Sequence, residues 1–87
     1  MRAIVTIGFK DGVLDPEAVA IGRALEGLGF GEVRGVRRRK VIELELDAGD
    51  ASAARARVEA MCEQLLANPV IESYEIEIER PGEATAS

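Results

Sequence analysis

The sequence predicts one α+β domain built in the order β-α-β-β-α-β. This is the split βαβ, or ferredoxin-like, plan: a four-stranded antiparallel sheet with two helices on one face. Two observations predict it. Apolar residues alternate with period two near both ends of the chain, at residues 2–9 and 73–79, and again over residues 41–46, the second arm of an expected hairpin. Two stretches with helical apolar spacing separate these runs. Right-handed crossovers then set the spatial strand order 4-1-3-2. The 87 residues suffice for a single domain, expected over residues 1–80. The small, polar run 81–87 reads as a flexible C-terminal tail.

Each element has its own signal. In the first strand Ala3, Val5, Ile7 and Phe9 share one face, and Arg2, Ile4, Thr6 and Gly8 the other. Lys10-Asp11-Gly12 follows as a turn. Asp15 is placed to cap the first helix, and Pro16 suits the first helical position because its missing N–H is not needed there. Ala18, Ile21, Leu25 and Leu28 form one apolar stripe, expected to lie on the sheet. Gly29 is positioned to end the helix in a left-handed cap.

Residues 32–46 read as a hairpin. In its second arm Ile42, Leu44 and Leu46 face one way, and Val41, Glu43 and Glu45 the other. In its first arm Val33 and Val36 have opposite parity, so a bulge near Arg34-Gly35 is needed to bury both. Asp47 or Asp50 caps a second helix running to about Ala67, with Ala54, Val58, Met61, Cys62 and Leu65 as its buried stripe. Asn68-Pro69 stops it. Tyr74, Ile76 and Ile78 then alternate with Ser73, Glu75, Glu77 and Glu79 in the last strand.

Composition narrows the chemistry. The chain has no histidine, which removes the usual general base and the commonest transition-metal ligand. Its one cysteine, Cys62, falls on an apolar stripe and reads as a buried structural thiol. No catalytic residue, metal ligand or cofactor site is expected. The net charge of −5 and the three aromatic residues argue against nucleic acid as a partner. No apolar run approaches the ~18 residues of a membrane span. The N-terminus has no signal-peptide pattern, so a cytoplasmic location is expected.

The exposed groups offer two surfaces. The outer sheet face carries Arg2, Ile4, Thr6, Val41, Glu43, Glu45, Glu75, Glu77 and Glu79. It reads either as a solvated face or as a face that docks a second copy. Arg34, Arg37, Arg38, Arg39 and Lys40 hold five of the eleven basic residues, at one end of the expected hairpin. They read either as a solvated turn that blocks edge aggregation or as a docking patch for an acidic partner.

Three segments together resemble a known family. They are Phe9-Lys10-Asp11-Gly12-Val13-Leu14-Asp15-Pro16; then Ala24-Leu25 through Leu28-Gly29-Phe30, with Val36-Arg37 and Lys40; and then Met61-Cys62 through Leu65-Leu66-Ala67-Asn68-Pro69-Val70-Ile71-Glu72 and Tyr74. In this order and spacing they closely resemble the PurS family, the small subunit of phosphoribosylformylglycinamidine synthase. The resemblance implies a non-catalytic subunit of a glutamine-using, ATP-dependent ligase of de novo purine biosynthesis. It implies a homodimer or tetramer that bridges a synthetase subunit (PurL) and a glutaminase subunit (PurQ) and assists ammonia transfer between them. ATP and magnesium are then expected in the synthetase partner and not in this chain.

The sequence departs from the family pattern in two places. Glu17-Ala18 stand where Gln-Gly is usual, and Arg39 stands where a glycine usually precedes the lysine. A tight hairpin turn needing positive φ would be strained at Arg39. The interface candidates are Lys10, Asp11, Gly12, Val13, Leu14, Asp15 and Pro16, the pair Arg37 and Lys40, and Asn68, Pro69, Ile71, Glu72 and Tyr74. Two rival readings remain. One is a dimeric regulatory domain that binds a small molecule; the other is a small acyl-phosphate hydrolase. The second is disfavoured because Lys10-Asp11-Gly12-Val13-Leu14 holds an acidic residue and no arginine.

Overall fold

Alternating side chains at Arg2–Phe9 make the central strand β1, and everything else in the sheet is measured against it. The structure, a computed structural model, describes residues 1–47 and 49–80. After β1 come helix α1 (Pro16–Gly27), strand β2 (Arg39–Glu45), helix α2 (Ala51–Met61) with a π-helical last turn (Cys62–Leu66), and strand β3 (Glu72–Glu79). The sheet has three strands in the order β2-β1-β3, both pairings antiparallel. The expected tail at 81–87 lies outside the described residues.

The expected sheet of four strands is therefore corrected to three. Residues 33–38, read as the first arm of a hairpin, make no ladder. They run without turn or bend straight into β2. There is no turn at Arg38-Arg39, so Arg39 is not strained. Positive φ occurs only at Gly12 (84°) and Gly29 (96°) among the described residues. With no ladder through Gly35, the expected bulge at Arg34-Gly35 has nothing to interrupt. Without that arm the order 4-1-3-2 lacks its last strand, and its remaining three stand as expected.

Register confirms the two sheet faces. Ala3 opposes Leu44 and Ile78, and Val5 opposes Ile42 and Ile76. Ile4 opposes Glu43 and Glu77, and Thr6 opposes Val41 and Glu75 on the outer face. On that face Arg2 pairs with Glu79, its Nε donating at 2.8 Å to Oε2. This contact keeps the nearly buried Glu79 carboxylate from being an unpaired charge.

The core sits between the inner sheet face and α2. Ala3, Val5 and Ile7 are fully buried and cluster with Val58, Cys62 and Ala67. Asp50 is the cap of α2, accepting from the Ala53 amide at 3.1 Å. The expected stripe of this helix fails at Leu65, which is 83% exposed. The cause is the π turn: the Ala67 amide donates back to the Cys62 carbonyl at 3.0 Å, five residues away. The widened turn swings Leu65 outward and brings Leu66 and Ala67 against the core instead.

Helix α1 begins and ends as expected. Asp15 accepts from the Glu17 and Ala18 amides at 3.0 and 3.3 Å, and Pro16 occupies the first position. At its end the Phe30 amide donates to the Leu25 carbonyl and the Gly29 amide to the Glu26 carbonyl, both at 3.0 Å. This pattern, with Gly29 left-handed, closes off the last carbonyls. The stripe, however, is not buried on the sheet. Only Ala18 is buried; Ile21 is 41% and Leu28 73% exposed. Helix α1 meets the arm, where Val36 lies 3.6 Å from the position a Cβ on Gly22 would take.

Candidate functional site

Antiparallel register gathers the candidate segments at one end of the sheet. Phe9 closes β1 opposite Glu72, and Gly8 opposes both Arg39 and Ser73. The loop after β1, the start of β2 and the start of β3 are thus neighbours although 24 or more positions separate them in sequence.

Lys10 holds two of these segments together. Its amide donates to the Ile71 carbonyl at 2.8 Å and its Nζ to the Pro69 carbonyl at 2.6 Å. Its carbonyl accepts from the Val13 amide at 3.1 Å, which forms the turn that requires Gly12 to be left-handed. The second loop is locked from within. Asn68 Oδ1 accepts from the Val70 amide at 3.1 Å, and Glu72 Oε1 accepts from the Asn68 amide at 2.7 Å. Asn68 and Glu72 therefore build the loop. Leu14 (69% exposed) and Val70 (78% exposed) are the most exposed large apolar side chains of these loops, with Ile71 less so.

Arg38 ties the arm to the start of α1. Its Nη2 and Nε donate to the Asp15 carboxylate at 2.9 and 3.1 Å, and its Nη1 lies 2.7 Å from Glu17 Oε2. The Arg38 guanidinium, helped by the Ala18 and Glu17 amides, holds the Asp15 carboxyl below its ordinary value of 3.8, against partial desolvation. The pH consequence has a definite sign. A depressed folded pKa means that the contribution is complete above the unfolded value and disappears as pH falls through the folded one. Acid titration below pH ~4 is expected to loosen the arm from α1, read by the fluorescence of a probe on the arm. Asp15→Asn will flatten that part of the titration; a profile identical to wild type would refute the assignment.

Tyr74 is placed on the inner face opposite Ile7, half-buried. Burial first, then the Glu63 carboxylate beside it, pushes its phenol above its ordinary value, so it stays protonated at neutral pH. Burial likewise raises the Cys62 thiol, which is fully buried and unsuited to nucleophilic work.

An open cleft of about 800 Å³ lies between the β1 end, α1 and the arm. Of the candidates, Lys10, Asp11, Gly12, Val13, Leu14, Asp15, Arg37 and Tyr74 line it. Pro16, Lys40, Asn68, Pro69, Ile71 and Glu72 do not. The cleft also draws on Arg23, which sequence reasoning did not single out, and on Arg34, Arg38 and Arg39, which it read as part of a basic run but did not place among the interface candidates. For the last three the signal was present in the basic run, but a hairpin turn there would have pointed them away from α1. The lining mixes cations with the carboxylates of Asp11, Asp15, Glu26 and Glu75 and with exposed apolar side chains such as Leu14 and Val33, a set suited to recognition. Among the described residues no group of three His, Cys, Asp or Glu side chains is placed to hold a metal ion, and no helix is long and apolar enough to cross a membrane.

Comparison with known proteins gives a consistent result. Residues 2–80 match the family model described as PurS, phosphoribosylformylglycinamidine (FGAM) synthase. The chain is 44% identical over 79 residues to the phosphoribosylformylglycinamidine synthase subunit PurS of Methanocaldococcus jannaschii, covering 91% of this chain and 95% of that one. The crystal structure of the M. jannaschii PurS superposes with a TM-score of 0.83 over the same shares of the two chains. A chain in the structure of PurLQS from Thermotoga maritima superposes with a TM-score of 0.78 at 33% identity, covering 87% of this chain and 93% of that one.

Proposed function

The chain belongs to the PurS family, a subunit family of phosphoribosylformylglycinamidine synthase in purine biosynthesis, and from that membership we propose that it joins the glutaminase and ATP-dependent synthetase subunits and assists ammonia transfer between them. The observation that carries the proposal is the match to a chain of the PurLQS structure, which covers 93% of that chain. ATP and magnesium belong, in this reading, to the synthetase partner.

The physical logic is one of water exclusion. Ammonia released into water at neutral pH is mostly protonated and is then no longer a nucleophile. A subunit that closes the joint between two active sites raises the yield without performing a chemical step. The clustering of Lys10, Pro69 and Ile71 supports such a role for the loops at this end of the sheet. They form one locked surface that presents Leu14 and Val70 outward. The candidates Asp11, Gly12, Val13, Asp15, Pro16, Arg37, Lys40, Asn68, Glu72 and Tyr74 are proposed as the frame and rim of that surface. The chain acts as a homodimer or tetramer in this reading, and the assembled dimer is where the four-stranded layout expected from sequence is proposed to be completed.

Reconstitution tests the function. The synthetase and glutaminase subunits are mixed with and without this chain, and product formation is followed with glutamine or with ammonium salt as nitrogen source. Omitting the chain is expected to remove glutamine-dependent synthesis while ammonia-dependent synthesis persists. Unchanged glutamine-dependent activity without it would overturn the bridging role.

A further inference from the structure

The outer face of the sheet changes character along β1. Arg2 is flanked by Glu45 and Glu79, and Ile4 by Glu43 and Glu77. Thr6 is flanked by Val41 and Glu75. The last row, at Gly8, is flanked by Arg39 and Ser73. The carboxylates stop one row short of the β1 end, and a guanidinium and a hydroxyl take their place. In a chain of net charge −5 this is a local reversal of sign.

Arg39 is held in that last row. Its side chain lies across Gly8, with Cγ 3.1 Å and Nε 3.4 Å from the position a Cβ on Gly8 would take. Gly8 has no positive φ, so what the glycine supplies here is room. Arg37 stands two positions earlier in extended chain and shares the side of Arg39 by alternation. Arg38, between them, faces the other way and is paired with Asp15 and Glu17. Among the described residues neither Arg37 nor Arg39 makes a side-chain hydrogen bond or ion pair. Thr6, Gly8, Arg37, Arg39, Ser73 and Glu75 all line the open cleft at this end. Helix α2 packs on the opposite face of the sheet and leaves this row uncovered.

We propose that this end of the outer face binds a sugar phosphate. The phosphate sits over Gly8, between Arg39, Arg37 and the Ser73 hydroxyl, and the sugar hydroxyls face Glu75 and Thr6 one row away. The site is additional to the subunit role proposed above and does not depend on it.

The chemistry of each group fits. A guanidinium presents its N–H donors in a planar fork that matches phosphate oxygens. The Ser73 hydroxyl adds a neutral donor. The bare backbone at Gly8 lets the anion approach the strand closely. Arg39 is already laid across the sheet, so less side-chain freedom is lost on binding. The carboxylates decide what kind of anion fits. The cationic end is one row deep, about 7 Å along the strand. An acidic polypeptide laid along this face meets Glu75, Glu43 and Glu77 within the next two rows, whereas a compact dianion does not. Glu75, which repels a longer anion, accepts hydrogen bonds from the hydroxyls of a sugar.

Nuclear magnetic resonance titration of the full chain tests the site, with ribose 5-phosphate as probe and inorganic phosphate for comparison. Ribose 5-phosphate is expected to give saturable shifts at the Gly8 and Ser73 amides and at Arg39 Nε–H, and to bind about tenfold more tightly than inorganic phosphate. Arg39→Gln is expected to weaken binding about tenfold or more. Arg57→Gln removes the same charge from an exposed position on α2, and is expected to change binding less than about twofold. Gly8→Ala removes no charge, but its methyl group displaces the Arg39 stem, and binding is expected to fall about threefold or more. The amide spectrum of each variant shows that it is folded. No saturable shift at these residues would overturn the site. Equal losses in Arg39→Gln and Arg57→Gln would reduce it to diffuse attraction and overturn it as well. Inorganic phosphate binding as tightly as ribose 5-phosphate would overturn the sugar assignment. Weakened assembly of Arg39→Gln with the synthetase and glutaminase subunits, without any phosphate binding by the wild-type chain, would assign the row to an acidic protein surface instead.

Discussion

Replacing Ile21 with glutamate and Leu28 with lysine in one chain is expected to leave the isolated copy folded and to abolish its self-association. Both side chains are substantially exposed in a single copy, Leu28 most of all. Nothing in that copy's core depends on them, and both replacements suit a helix. Lysine near the last turn also complements the helix dipole. In the dimer proposed above, a second copy that covers the exposed stripe of α1 would bury both side chains. Burying one such aliphatic side chain contributes about 1.5–3 kcal/mol, and burying an unpaired charge in its place costs several kcal/mol more. At ~1.4 kcal/mol per tenfold, the dissociation constant should rise more than a hundredfold. Sedimentation equilibrium reads this directly, and far-ultraviolet circular dichroism confirms that the helices persist. Glutamine-dependent synthesis in the reconstituted complex should fall along with dimerisation. A double variant that dimerises with wild-type affinity would show that α1 is not covered by a second copy.

Ile7→Ala is expected to be the most damaging single truncation in the core. Ile7 is 1% exposed in the central strand, opposed by Lys40 and Tyr74, and belongs to the cluster beneath Val58 and Cys62. Cutting a buried isoleucine to alanine removes transfer free energy and leaves a cavity, together about 2–5 kcal/mol. A domain of this length is held by roughly 4–13 kcal/mol in all. The variant should therefore unfold at a markedly lower urea concentration. Ile4→Ala, on the half-exposed outer face three residues away in the same strand, serves as the control and should cost clearly less. Both are compared at one protein concentration, since association shifts apparent stability by mass action. Equal losses at positions 4 and 7 would contradict the assignment of faces.

Much of the local structure was legible in the residues. The Asp15-Pro16 start of α1, its Gly29 end, the Asp50 cap and the faces of β1 and β3 all depend on groups within a few positions of one another. Such signals survive without knowledge of the fold. The displaced Leu65 was less legible. A π turn inserts one residue into a helical repeat, and no residue in Cys62–Leu66 announces that choice. The site was legible as segments and not as contacts. Lys10 Nζ on the Pro69 carbonyl and Arg38 on Asp15 join positions 59 and 23 residues apart, and only the sheet register brings them within reach.

Residues 32–46 mark where local reasoning reaches its end. Alternation showed correctly that this stretch favours extended chain, and parity correctly sorted Ile42 and Leu44 from Val41 and Glu43. Whether the chain turns back at Arg38-Arg39 or runs through is a different question. A tight turn there would ask for positive φ where an arginine stands, and the chain avoids that strain by continuing straight. Straight continuation takes the arm and α1 off their own sheet, and a stripe built to be buried is left uncovered. Strand propensity and capping are properties of a few neighbouring residues, so they can be read along the chain. The surface a strand or helix finally pairs with depends on distant or separate backbone, and packing alone selects it.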